Sequence, residues 1–460
     1  MLNTLQTPYQ ILKQRREAGI KTDESSNQNM RKCLAAIGYS VQSILATQND
    51  LAKLNVIHVA GTKGKGSTCA YVDSMLSWYR AAHGLPKNIG LYTSPHLVAV
   101  RERIRINSAP LTAPLFAKYF FEVWDRLEAA AKQEPDLEKP LYFRYLTLLS
   151  FHVFLQEGVD AASYEVGVGG EYDSTNIVER PAVTGITTLG IDHVYSLGDT
   201  VGKIAWHKAG IQKKRVPSFT VAQNPDALDV IEKRAAERHV GALKLDPAYP
   251  PSPDSIPREL SQGIEKVVWR GRCEAKTEGN LTWYLDGAHT TDSVEVATKW
   301  FSDESSQEPA SRVLVFNQQG FREAVALLEG LQQAIAQQGL VNFDHVIFCA
   351  TDQNSKGQKK KDFVNNNADS EAIAGLTLQK SFAEKWRELD PLASSTIGVL
   401  PSVKAALAHV RNLALEHNKV HAFLTGSVHL VGTALCSFEG VDALSTEGGC
   451  LPLSRWNHGG

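Results

Sequence analysis

The sequence predicts an α/β protein with a mostly parallel sheet, followed by a smaller C-terminal α/β domain of Rossmann-like pattern. Three observations predict it. Short apolar runs of strand length alternate with segments of helical spacing along most of the chain, the pattern of a parallel sheet covered on both faces. A glycine- and lysine-rich stretch, residues 60–68 (AGTKGKGST), stands between the first such run and the first helix-like segment. The chain has 460 residues, and at roughly 100–200 residues per domain two or three domains are expected.

Taken in order, Asn55–Ala60 reads as a strand, Ser67–Arg80 as a helix and Asn88–Tyr92 as a strand. Phe143–Glu157 spaces Leu, Phe and Val as a helix does. Ala161–Val166 and Ala182–Thr188 read as strands, and Thr200–Ala209 as a helix. Trp283–Leu285 ends a strand, and a helix follows from Asp292. A second series then runs: strand Val313–Phe316, helix Arg322–Gln337, strand His345–Cys349, helix Val403–His417, strand Ala422–Leu424, and a helix from His429. The polar stretch FSDESSQEPAS marks a boundary between an N-terminal domain, 1–300, and a C-terminal domain, 301–460. Leu245–Leu260 has five prolines and reads as irregular; Asp352–Asp369, with its Lys and Asn runs, reads as a solvated loop.

Composition narrows the partners. Hydrophobic residues make up 43% and charged residues 21%, with a net charge of -2. That balance gives no electrostatic basis for nucleic acid or an anionic membrane as main partner. No apolar run reaches the ~18–20 residues of a spanning helix. The six cysteines form no C-x-x-C pair, which argues against a zinc site or a disulfide framework. The basic N-terminal stretch raises a mitochondrial presequence, but Thr7-Pro8 and the periodic residues after it read as a first folded helix. The expected location is cytoplasmic, with a mitochondrial form left open.

The chemistry centres on residues 60–68. Small residues let a backbone curl around phosphates, and a following helix N-terminus favours anions. Lys65 adds positive charge at the β/γ-phosphates, and Ser67 or Thr68 is expected to begin the helix. The strict phosphate-loop pattern is broken, since Ala60 holds the first glycine's place and Gly66 separates Lys65 from Ser67. Strand before and helix after still make this a P-loop mononucleotide-binding domain.

Residues 61–68 also resemble the loop of the Mur ligases and folylpolyglutamate synthases. Four further segments resemble the second group, in its eukaryotic, fungal-like form: GLYTSPHLVAVRERIRI (90–106), YEVGVGGEYDSTN (164–176), TGITTLGIDHVYSLGDTVGKIAWHKAGI (184–211), and Arg272 with YLDGAHT (284–290). The resemblance spans about residues 3–436. It implies ligation of L-glutamate to reduced folates by way of an acyl phosphate. It implies ATP and Mg2+ as cofactors and allows a monovalent cation such as K+. It also implies small-molecule substrates only and a monomer.

It assigns residues too. Gly61, Thr62, Lys63, Gly64, Lys65, Gly66, Ser67, Thr68, Arg272, Asp286 and His289 match nucleotide contacts. Ser94, Glu165 and His193 match magnesium ligands. From chemistry alone His193 reads as a structural histidine, because hard oxygen donors suit magnesium better than imidazole. Lys208 matches a lysine carbamylated in some related ligases, which could then bind a second metal; an unmodified Lys208 paired with a carboxylate is the alternative. Lys65, His193 and Lys208 are the expected catalytic residues. Arg101, Arg105, Arg322, Ser427 and His429 are candidates for carboxylates of folate or glutamate. His289 and Ser427 read equally well as helix caps, and Arg101–Arg105 as an exposed charged strand.

Two departures stand out. The resemblance implies an asparagine-rich N-x-x-L-A helix between the Ala235–His239 helix and the Trp-x-Gly-Arg motif, one that helps hold the nucleotide base; none is visible, and several tens of residues are missing near 240–263. The loop Asn317–Arg322 has Phe321 where the family has an aspartate. Two alternatives follow: a ligase for another acceptor such as dihydropteroate, or a catalytically impaired folate- or nucleotide-binding paralogue.

Overall fold

The computed structural model describes residues 1–8, 11, 14, 23–40, 49–245, 256–306, 308–318, 321–337, 343–350, 375–390 and 394–439. The expected first helix after Thr7-Pro8 and the loop Asp352–Asp369 lie outside these, wholly or nearly so. Two units divide the chain. One holds Met1–His96 and Arg101–Val268; the other holds Leu97–Val100 and Trp269–Leu444.

In the first unit, helix α1 (Glu24–Ala36) leads to strand β1 (Ile57–Ala60) and helix α2 (Lys65–His83). Then come β2 (Ile89–Tyr92), the hairpin β3 (Ile104–Ile106) and β4 (Ala109–Pro110), α3 (Ala113–Gln133), α4 (Tyr142–Gln156), β5 (Ala161–Glu165) and β6 (Val183–Ile186). They are followed by α5 (Val194–Leu197), α6 (Val201–Lys208), β7 (Pro217–Thr220), α7 (Pro225–Glu237), β8 (Ala242–Leu245) and α8 (Arg258–Glu265). The sheet has eight strands in the order β4-β3-β2-β5-β1-β6-β7-β8. All neighbours run parallel except at the β2-β3-β4 edge. β1 is central, with β5 on one side and β6 on the other. The loop at its carboxyl end therefore opens where parallel α/β sheets bind ligands.

Core packing explains that sheet. Ten successive residues of α4, Tyr145–Phe154, are buried. A helix apolar all round belongs inside, not on a surface. Its polar side chains are paired within the fold: Tyr39 OH meets His152 Nδ1 at 2.7 Å, and Ser150 Oγ donates to Thr147 O at 2.7 Å. α8 precedes the Trp-x-Gly-Arg motif, but its sequence RELSQGIE holds no asparagine, so it is not the asparagine-rich helix that the resemblance implies there. Its eight residues pack on α2, where Ser74 Oγ donates to Gly263 O at 2.7 Å. Four prolines precede position 257, so the helix signal starts only once the imino acids end.

The second unit runs β9 (Glu274–Glu278), β10 (Leu281–Leu285), α9 (Thr291–Ser305), β11 (Ser311–Phe316), α10 (Phe321–Gln337), β12 (His345–Cys349), α11 (Thr377–Leu389), β13 (Thr396–Leu400), α12 (Val403–Glu416), β14 (Val420–Thr425) and α13 (Val428–Glu439). Its sheet order is β13-β12-β11-β14-β10-β9, parallel except for β9. Each face has its own core. Trp283, Leu285, Val313 and Val315 enter one cluster, while Tyr284, Leu314 and Phe316 enter the other. Alternation along a strand with both faces apolar is what a doubly covered parallel sheet requires. Leu97 and Val98 join the first of these clusters.

Candidate functional site

The phosphate loop starts where β1 ends. An added Cβ on Gly61 would stand 1.8 Å from Thr187 Oγ1, so only glycine fits there. Thr187 Oγ1 donates to Lys63 O at 2.6 Å. Thr62 N and Lys63 N both donate to Thr188 O, at 3.0 and 3.1 Å. Those two amides are spent on the β6 turn and do not face inward for a phosphate. Gly64, at φ 83, caps α2, which opens at Lys65. The expected start at Ser67 or Thr68 is thus two to three residues late, because a left-handed glycine turns the chain into the helix at once. The N–H groups left without intrahelical partners are those of the turn at Lys65, Gly66 and Ser67.

Cations gather around this turn. Lys65 Nζ donates to Gly61 O at 2.9 Å and to Thr62 O at 3.4 Å. Lys208 Nζ, from the end of α6, donates to the same Gly61 O at 2.6 Å. The partner of Lys208 is therefore a backbone carbonyl, where the unmodified alternative foresaw a carboxylate. Lys208 is buried, and burial first, then the Lys65 charge, lowers its pKa to about 7. Lys63 Nζ lies 3.6 Å from Asp192 Oδ2. His193 follows in left-handed conformation, φ 49, at the start of α5. Partial desolvation holds its imidazole below the ordinary value against the pull of Asp192, and Lys208, Lys65 and Lys63 add to the lowering. A positive cluster of this kind is incomplete without an anion.

Opposite the cations, Glu165 ends β5. Its Oε2 accepts from Ser94 N at 2.9 Å and lies 3.2 Å from the place of a Cβ on Gly66. The carboxylate thus rests against the first turn of α2, favoured by the helix dipole. Ser94 and Glu165 are hard oxygen donors beside the phosphate turn, a set that fits magnesium shared with nucleotide phosphates. Among the described residues no group of three or more His, Cys, Asp or Glu could hold a metal by itself.

Arg101 lies in the helical turn just before β3, and Arg105 lies on β3. Arg101 Nη1 donates to Leu111 O at 2.6 Å, and Arg105 Nε donates to Glu102 O at 3.2 Å. In the second unit, candidate residues line the carboxyl ends of β10, β11 and β14. Asp286 accepts from Cys273 N at 2.9 Å and from Ala288 N at 2.8 Å. Both its oxygens are engaged by the fold, and burial raises its pKa while Arg272 opposes. Arg272 Nη1 stands 2.4 Å from the place of a Cβ on Gly287, and Val428 Cα stands 3.2 Å from it, so the guanidinium lies near the start of α13. The His289 amide donates to Ser293 Oγ at 3.2 Å, and His289 Nδ1 is 3.0 Å from Gly287 O. Ser427 Oγ accepts from His429 N at 3.2 Å, the capping arrangement. Arg322 is in the first turn of α10, but its side chain lies outside the described residues. Sequence reasoning missed Thr187, Thr188 and Asp192 as holders of the loop. Their signal was their place in residues 184–193, directly before His193.

A central strand, a glycine-lysine loop and a helix ringed by lysines define a phosphate-loop, nucleotide-binding α/β protein with a second Rossmann-like unit. No family model matches the chain. Curated relatives do: the folylpolyglutamate synthase of Neurospora crassa is 49% identical, covering 96% of this chain and 91% of its own length. That of Saccharomyces cerevisiae is 38% identical, covering 96% and 86%. The chain belongs to the folylpolyglutamate synthase family. The Neurospora alignment runs over 489 positions, more than the 460 residues present, so this chain lacks residues its relative has.

Solved structures share the fold. The Mycobacterium tuberculosis folylpolyglutamate synthase complexed with ADP has a TM-score of 0.68 at 19% identity, covering 94% of this chain and 98% of that one. Escherichia coli FolC in complex with DHPP and ADP has a TM-score of 0.65 at 21% identity, covering 95% and 98%.

Proposed function

We propose that this protein adds L-glutamate in γ-linkage to tetrahydrofolate and to folylpolyglutamates, consuming ATP. The observation that carries this reading is the convergence of Lys65 and Lys208 on Gly61 O, at 2.9 and 2.6 Å, beside an α2 N-terminus. That arrangement supplies the positive field a triphosphate and an attacking carboxylate need in order to meet. The family named by the relatives supplies the substrates. Neither another acceptor nor a silent binding role is favoured by them.

The folate γ-carboxylate attacks the γ-phosphate of ATP, and ADP leaves. The glutamate amine then attacks the acyl phosphate, and phosphate leaves with formation of the amide. Lys65 exchanges its loop carbonyls for phosphate oxygens. Lys208, with its amine partly neutral near pH 7, is suited to carbamylation, and unmodified it holds Gly61 O. Glu165 and Ser94 would hold magnesium, which would spread the developing phosphate charge, and His193, beside the lysines, would be a further ligand. Arg272 and His289 would meet the nucleotide, and Ser427 and His429 the amino acid. Residues 1–300 would carry the ATPase chemistry and 301–460 the glutamate half. No helix among the described residues is long and apolar enough to cross a membrane; a cytoplasmic monomer is part of the same reading.

The test is ADP release by the purified protein with ATP, magnesium, tetrahydrofolate and L-glutamate. Release that depends on glutamate, with a product heavier by one glutamyl residue, is expected. Release with dihydropteroate alone, or none, would overturn the reading.

A further inference from the structure

The phosphate loop rests on a turn that is itself braced from behind. β6 ends at Ile186, and residues 187–190 carry the chain on toward Asp192 and His193. Thr188 and Gly190 face the phosphate loop. Thr188 O accepts from Thr62 N and Lys63 N at 3.0 and 3.1 Å, and Thr62 Oγ1 donates to Gly190 O at 3.1 Å. Thr187 O and Leu189 N face the other way, and both residues are buried. A buried peptide group without a partner is costly, so something must meet these two.

β7 is the neighbouring strand on that side, and it stops short. Its main chain last reaches the end of β6 through Val221 N, which donates to Ile186 O at 3.3 Å. The chain then leaves the sheet: Asn224 caps α7, and Pro225 opens it. Gln223 stands between. Its side chain does what the backbone of a further strand residue would do. Nε2 donates to Thr187 O at 3.0 Å, and Oε1 accepts from Leu189 N at 3.1 Å. Nε2 also donates to Thr220 Oγ1 at 3.0 Å. The amide can sit only this way round, because a carbonyl only accepts and a peptide N–H only donates. One amide with three bonds thus extends the sheet past its last strand pair.

We propose that Gln223 is a positioning residue for the nucleotide phosphates: it sets the turn 187–190, and that turn sets the phosphate loop. The inference rests on the ATP-ligase reading and deepens it by naming what fixes the loop in place.

Gln223→Met keeps the length and removes the amide. Calorimetry of the full chain with ADP reads the loop directly. ADP affinity should fall about tenfold, the order of one well-placed hydrogen bond. The KM for ATP should rise by a similar factor, while the KM for L-glutamate holds within about twofold. That split separates positioning from support of the fold. Lost stability lowers the number of folded molecules, and neither a Kd nor a KM depends on that number. Gln223→Glu keeps an acceptor for Leu189 N but sets a carboxylate oxygen against Thr187 O, so it should weaken ADP at least as much as Gln223→Met. Thr220→Val removes only the bond that orients the amide; it should weaken ADP about threefold, and it reads the same device if Gln223→Met fails to fold. ADP affinity unchanged in the folded variants, or ATP and glutamate KM values raised by the same factor, overturns the proposal while leaving the ligase reading standing. Wild-type protein that binds no ADP overturns both.

Discussion

Lys65 and Lys208 aim their ammonium groups at one oxygen, the carbonyl of Gly61, at 2.9 and 2.6 Å. Two ammonium groups sharing a single neutral acceptor repel each other, and the repulsion is relieved either by an anion or by loss of the proton of Lys208, whose pKa is lowered to about 7. On the proposed reading a triphosphate entering the α2 N-terminus would supply that anion, and the same carbonyl would then release Lys65. The loop is thus charged for a ligand before the ligand arrives.

Lys65→Ala follows from this. Its side chain is only partly buried and touches the loop's own carbonyls, so little core packing is lost. If Lys65 meets the transferred phosphoryl group as proposed, removing its charge should lower kcat on the order of 10²-fold or more. Thermal melting should stay within a few degrees of wild type. Near-normal turnover in the ADP-release assay would defeat the phosphate-loop assignment.

Gly61→Ala acts through sterics. Its Cβ would fall 1.8 Å from Thr187 Oγ1 and 3.0 Å from Thr187 Cβ. Forcing a methyl into such a gap costs about 1–3 kcal/mol and should shift the loop away from its bond partner Thr188. Nucleotide affinity, read by calorimetry, should fall with stability. Thr187→Ala deletes the nearest atom, so the Gly61→Ala/Thr187→Ala pair should recover part of the lost melting temperature. A double variant that is merely additive would show that the contact does not set the loop.

Local patterns made the strand-loop-helix of β1 and α2 legible, as well as the strand-helix alternation after residue 291. Each is written in neighbouring residues. What joins distant parts was not. Lys208 reaches Gly61 across 147 positions, and Gln379 reaches Asn317 across 62. No periodicity encodes either meeting. β13 went unassigned because Thr396–Leu400 is a short edge strand with a central glycine. α3 is a different case: Phe116, Tyr119, Phe120, Val123 and Leu127 recur at helical spacing, so its signal was present and unused. At α2 the type was legible and the start was not, since the left-handed turn at Gly64 moves the first turn ahead of the apolar stripe.

Glu165→Ala tests the metal assignment. The carboxylate is buried to 5% exposure, accepts from Ser94 N and faces the first turn of α2. If it holds magnesium together with phosphate oxygens, its loss should raise the magnesium needed for half-maximal rate by about tenfold. Saturating magnesium should restore part of kcat. An unchanged magnesium titration would assign Glu165 to loop support alone.

Lys208 makes stability depend on pH in a stated direction. The unfolded amine titrates at its ordinary 10.5 and the folded one at about 7, lowered by burial first and by Lys65 next. Between those values the unfolded chain binds a proton that the folded chain lacks. Stability therefore rises with pH across that window, by up to roughly 1.4 kcal/mol per pH unit from this group. Below about pH 7 both states carry the charge, and the folded state bears the whole desolvation cost. Lys208→Met removes the titration and the bond to Gly61 O together. The lost bond is a constant offset, so the telling quantity is the difference between two pH values. In urea unfolding the variant should gain on wild type at about pH 6.5 relative to about pH 9. Parallel stability curves for the two proteins across that range would mean the folded amine titrates near its unfolded value, and the field drawn around Gly61 would be far weaker than the geometry implies.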